Sequence, residues 1–353
     1  MNPYIKITAY LLYPISIMYA VVVAIRNKAF DCGILRSQKH NIATIGVGNL
    51  SVGGTGKTPH VEYLVQQLQH KYNIALLSRG YKRTTKGFVQ ASPHTTAQNI
   101  GDEPYQMYNK FRNIHVAVCE KRNTGVEMLQ KQCKGIDLVL MDDVYQHRHI
   151  KPDVMVLLTD YSNPFYTDKV MPFGTLREAR GGYKRASVIV VSKCPQTMST
   201  EQQQHIIQKI KPMPWQKVYF SYLEYGQPTN IEGTTTTLQH IQHILVVAGI
   251  ANPIPLMEKV QETSKATLCQ YPDHHNFDTN DIDNIKKQFE EIDTDNKIIL
   301  TTEKDFVRIK TSEHIEAIKH LPIYYIPIQI KFHPTANTDT PFAQHIEKLI
   351  EAH

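Results

Sequence analysis

Residues 41–58, NIATIGVGNLSVGGTGKT, constrain the chain more than any other stretch. The run from Ile42 to Val47 is apolar and β-branched and reads as a buried strand. It passes into a glycine-rich turn, Gly53-Gly54-Thr55-Gly56, then Lys57-Thr58, then the helical pattern HVEYLVQQLQ. Strand, glycine turn and helix start in this order make a cradle for phosphate. Successive backbone N–H groups can converge on an anion without Cβ obstruction, and the helix N-terminus adds a positive end. Ser51, Val52, Gly53, Gly54, Thr55, Gly56, Lys57 and Thr58 form the expected nucleotide-binding loop, with Lys57 on the β/γ-phosphates and the Thr58 hydroxyl on Mg²⁺. The usual pattern has glycine where this chain has Ser51, and the two glycines that follow relieve the same backbone strain.

Further apolar runs follow: Ile74–Leu77, 115–122, Leu138–Met141, 153–160 and 186–193, with helical patterns between several of them. Strands alternating with helices predict an α/β fold, a P-loop NTPase-like and mostly parallel sheet with helices on both faces. With 353 residues the chain has room for two modest domains. Pro, Gly and a run of Thr at 222–242 suggest a linker or small hairpin, after which HILVVAGIANP (243–253) and KIILTTEKDFVRI (297–309) restart the strand–helix pattern. The expected division is an N-terminal membrane-associated helix at 1–30, a P-loop domain at 31–225 and a smaller α/β domain at 226–353.

The N-terminal segment ITAYLLYPISIMYAVVVAI (7–25) carries no charge and is followed by Arg26, Lys28, Arg36 and Lys39. Its length is borderline for a hydrocarbon core of about 30 Å. Pro14 and the tyrosines at 10, 13 and 19 suit an interfacial helix, with the basic flank on the cytoplasmic side. The formal charge of +6 favours anionic substrates or an anionic membrane surface and is too weak to argue for nucleic acid. Five cysteines without paired spacing imply neither a zinc site nor a disulfide framework.

Several polar clusters sit where an open α/β sheet places its ligands. Arg79, in LSRGYKR, follows a strand end and is either a ligand group or a solvated cationic turn. Asp102 and Glu103 precede a helix, where capping explains them as well as Mg²⁺ or a substrate hydroxyl does. Asp142-Asp143 end a buried strand, the Walker-B arrangement once a phosphate loop is present. The continuation Val144-Tyr145-Gln146-His147-Arg148 is denser in polar groups than a turn requires. Arg177 and Glu178 lie just past a Pro/Gly turn, where Arg can grip phosphate bidentately. His274 and His275, in YPDHHNF, read equally as acid–base groups or as a polar loop.

GNLSVGGTGKTP, LSRGYKR, GDEP, DDVYQHR, LREA, GIANP, PDHH and TEKD, in that order, resemble the tetraacyldisaccharide 4'-kinase (lipid A 4'-kinase) family across most of the chain. The family usually reads Gly-Phe where this chain has Val144-Tyr145, and Pro where it has Ala179. The resemblance implies ATP- and Mg²⁺-dependent phosphorylation of the 4'-hydroxyl of a tetraacylated glucosamine disaccharide 1-phosphate, at the cytoplasmic face of the inner membrane of a Gram-negative bacterium. The implied partners are that lipid and the membrane surface, with no nucleic acid and no obligate protein partner. It further implies Asp102 as catalytic base oriented by His274, with the two domains closing over the site. Thr58, Glu103 and Asp142 would hold Mg²⁺. Lys57 and Arg177 would act in catalysis, and Arg79, Asp143, Gln146 and Glu178 would complete the centre. The rival reading is a nucleotide-driven switch or partitioning ATPase/GTPase at a membrane. Val52 stands where deviant loops of that group carry an extra Lys, and no Asn-Lys-x-Asp guanine-reading motif is evident.

Overall fold

In the computed structural model, which describes residues 3–273, 275–311, 315–335 and 337–352, the run at 42–47 becomes β1 (Ala43–Asn49), buried over all but its first residue. The chain continues through α2 (Lys57–Leu68), β2 (Ile74–Ser78), β3 (Val89–Gln90), α3 (Ala97–Ile100), α4 (Asp102–Lys110), β4 (His115–Val118) and α5 (Arg122–Gln132). It goes on to β5 (Leu138–Met141), β6 (Val154–Asp160), β7 (Val188–Ser192), α6 (Thr200–Ile210) and β8 (Lys217–Tyr225). These strands, joined at one edge by β14 (Ile328–Phe332), form a sheet in the order β14-β8-β7-β6-β1-β5-β2-β4-β3. The pairs from β4 through β2, β5, β1, β6 and β7 to β8 are parallel, and β3 pairs antiparallel to β4.

This order fixes the site. β1 lies between β5 and β6, while β2 lies beyond β5. The chain therefore builds outward on one side of β1 and then returns to build on the other. Such a switch point leaves a crevice outside the carboxyl ends of the strands. The loop after β1 and the acids after β5 both open there. The sheet is buried on both faces, which is why its strands read as continuous apolar runs and not as alternation. One face packs against Val61, Leu64, Val65 and Leu68 of α2 and Phe342, Ile346 and Ile350 of the last helix, α11 (Phe342–Glu351). The other packs against Val126 and Leu129 of α5.

The chain divides into two compact units, Met1–Leu223 with Ile330–His353, and Glu224–Gln329. The second unit holds a five-stranded sheet in the order β11-β10-β12-β13-β9. Its strands are β9 (Thr229–Asn230), β10 (His243–Ala248), β11 (Lys265–Gln270), β12 (Lys297–Thr302) and β13 (Ile323–Ile326). Its helices are α7 (Ile254–Gln261), α8 (Thr279–Glu290), α9 (Glu303–Thr311) and α10 (Ile315–Ile318). Two differences from the sequence reading stand out. Residues 222–225 are the end of β8, so the linker begins later than expected. The second unit also stops at Gln329, because residues 330–353 return to the first unit and bury Phe342 and Ile346 there.

The N-terminal segment is a single helix, α1 (Pro3–Asp31), which continues through Pro14. Among the described residues no helix is long and apolar enough to cross a membrane. One side of α1 is tied to the first unit: Ser16 Oγ donates to Val170 O (2.5 Å), Tyr19 OH to Arg177 O (3.0 Å) and Asn27 Nδ2 to Glu178 Oε2 (2.8 Å). Ile15, Ile17, Met18, Val21, Val22 and Ile25 are exposed.

Candidate active site

The phosphate loop begins where β1 ends and is braced from three sides. Val52 N donates to Thr175 O (2.8 Å) and Arg177 N to Leu50 O (2.7 Å), so the segment carrying Arg177 is stitched to the loop's first residues. Asn49 Nδ2 donates to Thr55 Oγ1 (2.9 Å), and Ser192 Oγ, at the end of β7, donates to Thr55 O (2.8 Å). His60, one turn into α2, contacts Gly56 O through Nδ1 (2.7 Å) and Ser221 Oγ through Nε2 (2.8 Å). Burial lowers the His60 pKa to about 4, against the upward pull of its Gly56 bond, so the ring is neutral. Gly56 itself is left-handed (φ 80°) and precedes α2 with no side-chain cap. The first amides of α2 are therefore not met by a capping side chain, the condition for anion binding at a helix N-terminus.

Lys57 Nζ lies 3.5 Å from Asn49 Oδ1 and 3.6 Å from Asp143 Oδ1. Asp143 takes a left-handed backbone (φ 45°) immediately after the buried Asp142. A non-glycine residue in that region stores strain, and Asp tolerates it better than most. Its carboxylate also accepts from Arg177 Nη1 at 3.2 and 3.3 Å. Burial raises the Asp143 pKa, but Lys57 and Arg177 outweigh it and hold the group below the usual carboxylate value. Arg177 Nη1 also donates to Gln146 Oε1 (3.2 Å), while Gln146 Nε2 donates to Asn49 O (2.8 Å). Lys57, Asp143, Arg177 and Gln146 thus form one cluster at the mouth of the loop.

A second cluster lies beside it. Thr58, Ser78, Glu103 and Asp142 line one small recess together with Val61, Leu76, Pro104 and Met107. Asp142 is pushed up to about 7, first by burial and then by Glu103, with Lys57 and Arg122 opposing. No group of three or more His, Cys, Asp or Glu that could hold a metal occurs among the described residues. A hydroxyl and two carboxylates nevertheless fit Mg²⁺, which keeps water and substrate phosphate oxygens as its remaining ligands. The residues suit that ion and not a zinc-type cage.

The motifs around Arg79 and Asp102 meet through backbone. Gly101 has φ 90°, and a Cβ there would lie 2.8 Å from Tyr81 O. Only glycine allows that approach, which sets Asp102 and Glu103 on the first turn of α4 beside the 79–83 turn. Arg79 itself is exposed. Glu178 is buried: it accepts Arg185 at 2.8 Å through both oxygens, Asn27 at 2.8 Å and Gln146 at 3.3 Å. Its partners are protein side chains: it holds Gln146, which accepts from Arg177, and reaches α1 through Asn27. Val144 and Tyr145, where the family has Gly and Phe, are buried, and Tyr145 OH donates to Gly182 O (2.7 Å). His274 lies outside the described residues; His275 pairs with Asp281 (2.7 Å) and stacks on Tyr271 within the second unit.

Sequence reading missed Arg122, Asn49, His60 and Ser192. Arg122 is buried and donates to Cys119 O (2.7 Å) and Asp142 O (3.0 Å), holding the end of β5. Nothing in CEKRNTG signals that burial, because a lone Arg at a helix start reads as solvated. Asn49 stood inside the motif, but its role depends on the side chain folding back on Thr55 and Lys57.

The family model described as Tetraacyldisaccharide-1-P 4'-kinase matches residues 8–349. The chain belongs to the tetraacyldisaccharide 4'-kinase family. Relatives bearing that name include one from Bacteroides thetaiotaomicron, 42% identical over 97% of this chain and 93% of its own length. One from Flavobacterium johnsoniae is 39% identical over 97% of this chain and 98% of its own. The crystal structure of LpxK from Aquifex aeolicus, solved in complex with ATP, has the same fold, with a TM-score of 0.74 and 23% identity over 98% of this chain and 99% of that one. These matches are to kinases, and the switch or partitioning reading is not favoured. The fold expected from the sequence, a mostly parallel P-loop kinase sheet, is the family's fold.

Proposed function

We propose that the chain transfers the γ-phosphoryl group of ATP to the 4'-hydroxyl of a tetraacylated glucosamine disaccharide 1-phosphate, a step of lipid A biosynthesis. The observation that carries this reading is the convergence of Lys57, Asp143 and Arg177 at the mouth of an uncapped, glycine-lined helix N-terminus, with Thr58, Glu103 and Asp142 lining the adjoining recess. The loop amides and Lys57 bind the β- and γ-phosphates. The sugar oxygen attacks the γ-phosphorus, the bond to the β–γ bridging oxygen breaks, and ADP leaves with that electron pair. Asp102 takes the hydroxyl proton, and Lys57 and Arg177 stabilise the charge spread over the transferring group. Mg²⁺ held by Thr58, Glu103 and Asp142 would neutralise phosphate charge. Asp143 keeps Lys57 and Arg177 from repelling each other before nucleotide arrives. Family resemblance adds His274 as the group that orients Asp102, and Arg79 as a residue that completes the centre.

The reaction needs ATP, and its acceptor carries four acyl chains. An apolar helix with exposed Ile15, Ile17, Met18, Val21, Val22 and Ile25, followed by basic residues, suits a place on the cytoplasmic surface of the inner membrane.

The test is an assay of detergent-solubilised protein with labelled ATP and the disaccharide 1-phosphate. A bis-phosphorylated lipid is expected, abolished in Lys57→Ala and reduced at least a hundredfold in Asp102→Ala, on the order of a general base's contribution. Unchanged turnover in both variants would overturn the site. His274→Ala should lower turnover more than ATP affinity.

A further inference from the structure

His60 braces the phosphate loop without a part in the chemistry assigned above, and its ring joins the loop to β8, a strand three positions from β1 in the sheet. It is 1% exposed, and both ring nitrogens are engaged. A carbonyl can only accept, so Nδ1 carries the hydrogen bound to Gly56 O, and Nε2 accepts from the Ser221 hydroxyl on β8. Gly56 is the left-handed residue whose following peptide starts α2. The orientation of the Gly56 carbonyl and that of the Lys57 N–H belong to one planar peptide. The Gly56 carbonyl accepts both the His60 backbone N–H (3.3 Å) and the shorter bond from the ring (2.7 Å), and holding it on the helix side turns the Lys57 N–H the other way, toward the loop's mouth. Ser192 does the same for the preceding peptide by donating to Thr55 O, whose N–H partner belongs to Gly56.

We propose that His60 is a positioning residue for the phosphate loop: through Gly56 O it fixes the orientation of the Lys57 amide, with Ser221 holding the ring and Ser192 bracing the neighbouring peptide. It touches no reacting atom. This rests on the loop being the ATP site. The ring packs among Phe332 and the α2 core, so the competing possibility is a space-filling residue with incidental bonds.

The experiment uses the full-length protein and measures ATP affinity by calorimetry, turnover with the lipid acceptor, and melting temperature. His60→Leu fills the space without a donor and should weaken ATP binding about tenfold, the scale of one lost buried hydrogen bond, with the KM for the lipid unchanged. His60→Asn retains a donor at the Nδ1 position and should restore most of that affinity, whereas His60→Gln should not. Leu64→Ala, in the same helix and fully buried, should lower the melting temperature and leave ATP affinity intact. If His60→Leu behaves as Leu64→Ala does, the ring is a core filler and the proposal falls. If His60→Leu does not fold, Ser221→Ala and His60→Asn decide: a loss of threefold or more in Ser221→Ala with partial retention in His60→Asn supports the proposal, and unchanged affinity in Ser221→Ala overturns it. Absence of ATP binding in the wild-type protein would instead remove the ATP-site reading and take this inference down with it.

Discussion

Asp153 shows how much of the site's rigidity is set by one side chain away from the chemistry. Its carboxylate accepts from Thr44 N (2.9 Å), Thr44 Oγ1 (2.6 Å) and Lys39 Nζ (2.9 Å), tying the start of β1 to the start of β6. Burial raises its pKa, but the Thr44 hydroxyl, Lys39 and the Thr44 amide more than offset this and leave it below the ordinary Asp value of 3.8. The folded state therefore binds this proton less readily than the unfolded chain. Asp153 stabilises the fold fully above that ordinary value, and its contribution fades as pH falls below it. Asp153→Asn should cost about 1–2 kcal/mol at neutral pH and flatten the acid limb of a denaturation series below about pH 4. An unaltered acid limb would show that Asp153 is not responsible. Asp153 precedes a strand and drew no notice in the sequence, because what matters about it is a partner more than a hundred positions away.

Among the elements, the junction of α3 and α4 is the most exacting. Gly101 closes one helix and opens the other, at φ 90° against Tyr81 O. Gly101→Ala should destabilise by about 1–3 kcal/mol, the usual cost of a side chain in a strained region, and should lower turnover beyond the loss of folded protein, since Asp102 is the next residue. Melting temperature and the specific activity of the folded fraction separate the two effects. GDEP was visible in the sequence as acids at a helix start; that its glycine leans on the LSRGYKR turn was not. β5 and the position of two acids at its end were legible, because four apolar residues running into Asp-Asp read as a buried strand with a polar end. β8 was less so. Its aromatic run KVYFSYLEY adjoins Pro, Gly and Thr, whose turn signal dominated the local reading, and β13 and β14 are partly exposed strands without a continuous apolar run. The apolar content of α1 was plain, but which of its residues face the body depends on Ser16, Tyr19 and Asn27 finding partners near Arg177.

The whole molecule is built from a first unit interrupted by a second. The sequence predicted two α/β regions and placed the later one to the chain's end. The last helix misled that reading because FAQHIEKLIEA is amphipathic and would suit either body equally. In the structure Phe342, Ile346 and Ile350 complete the core beneath α2, and Lys71 pairs with Glu347 and Glu351. Ile346→Ala should cost about 2–5 kcal/mol and should show in the melting of the nucleotide-binding unit. The contiguous segment 224–329, expressed alone, should melt cooperatively, since its two core clusters are drawn almost wholly from within it. A non-cooperative melt would show that it depends on the flanking segments.

That interruption also sets an order of events on the ribosome. The strand and loop that define the nucleotide site emerge before the inserted unit, yet the helix that backs α2 emerges after it. The inserted unit has its full sequence available earlier, so the part of the protein that comes second in the chain is the first able to finish folding. Until that helix emerges, the phosphate loop is synthesised but unbacked.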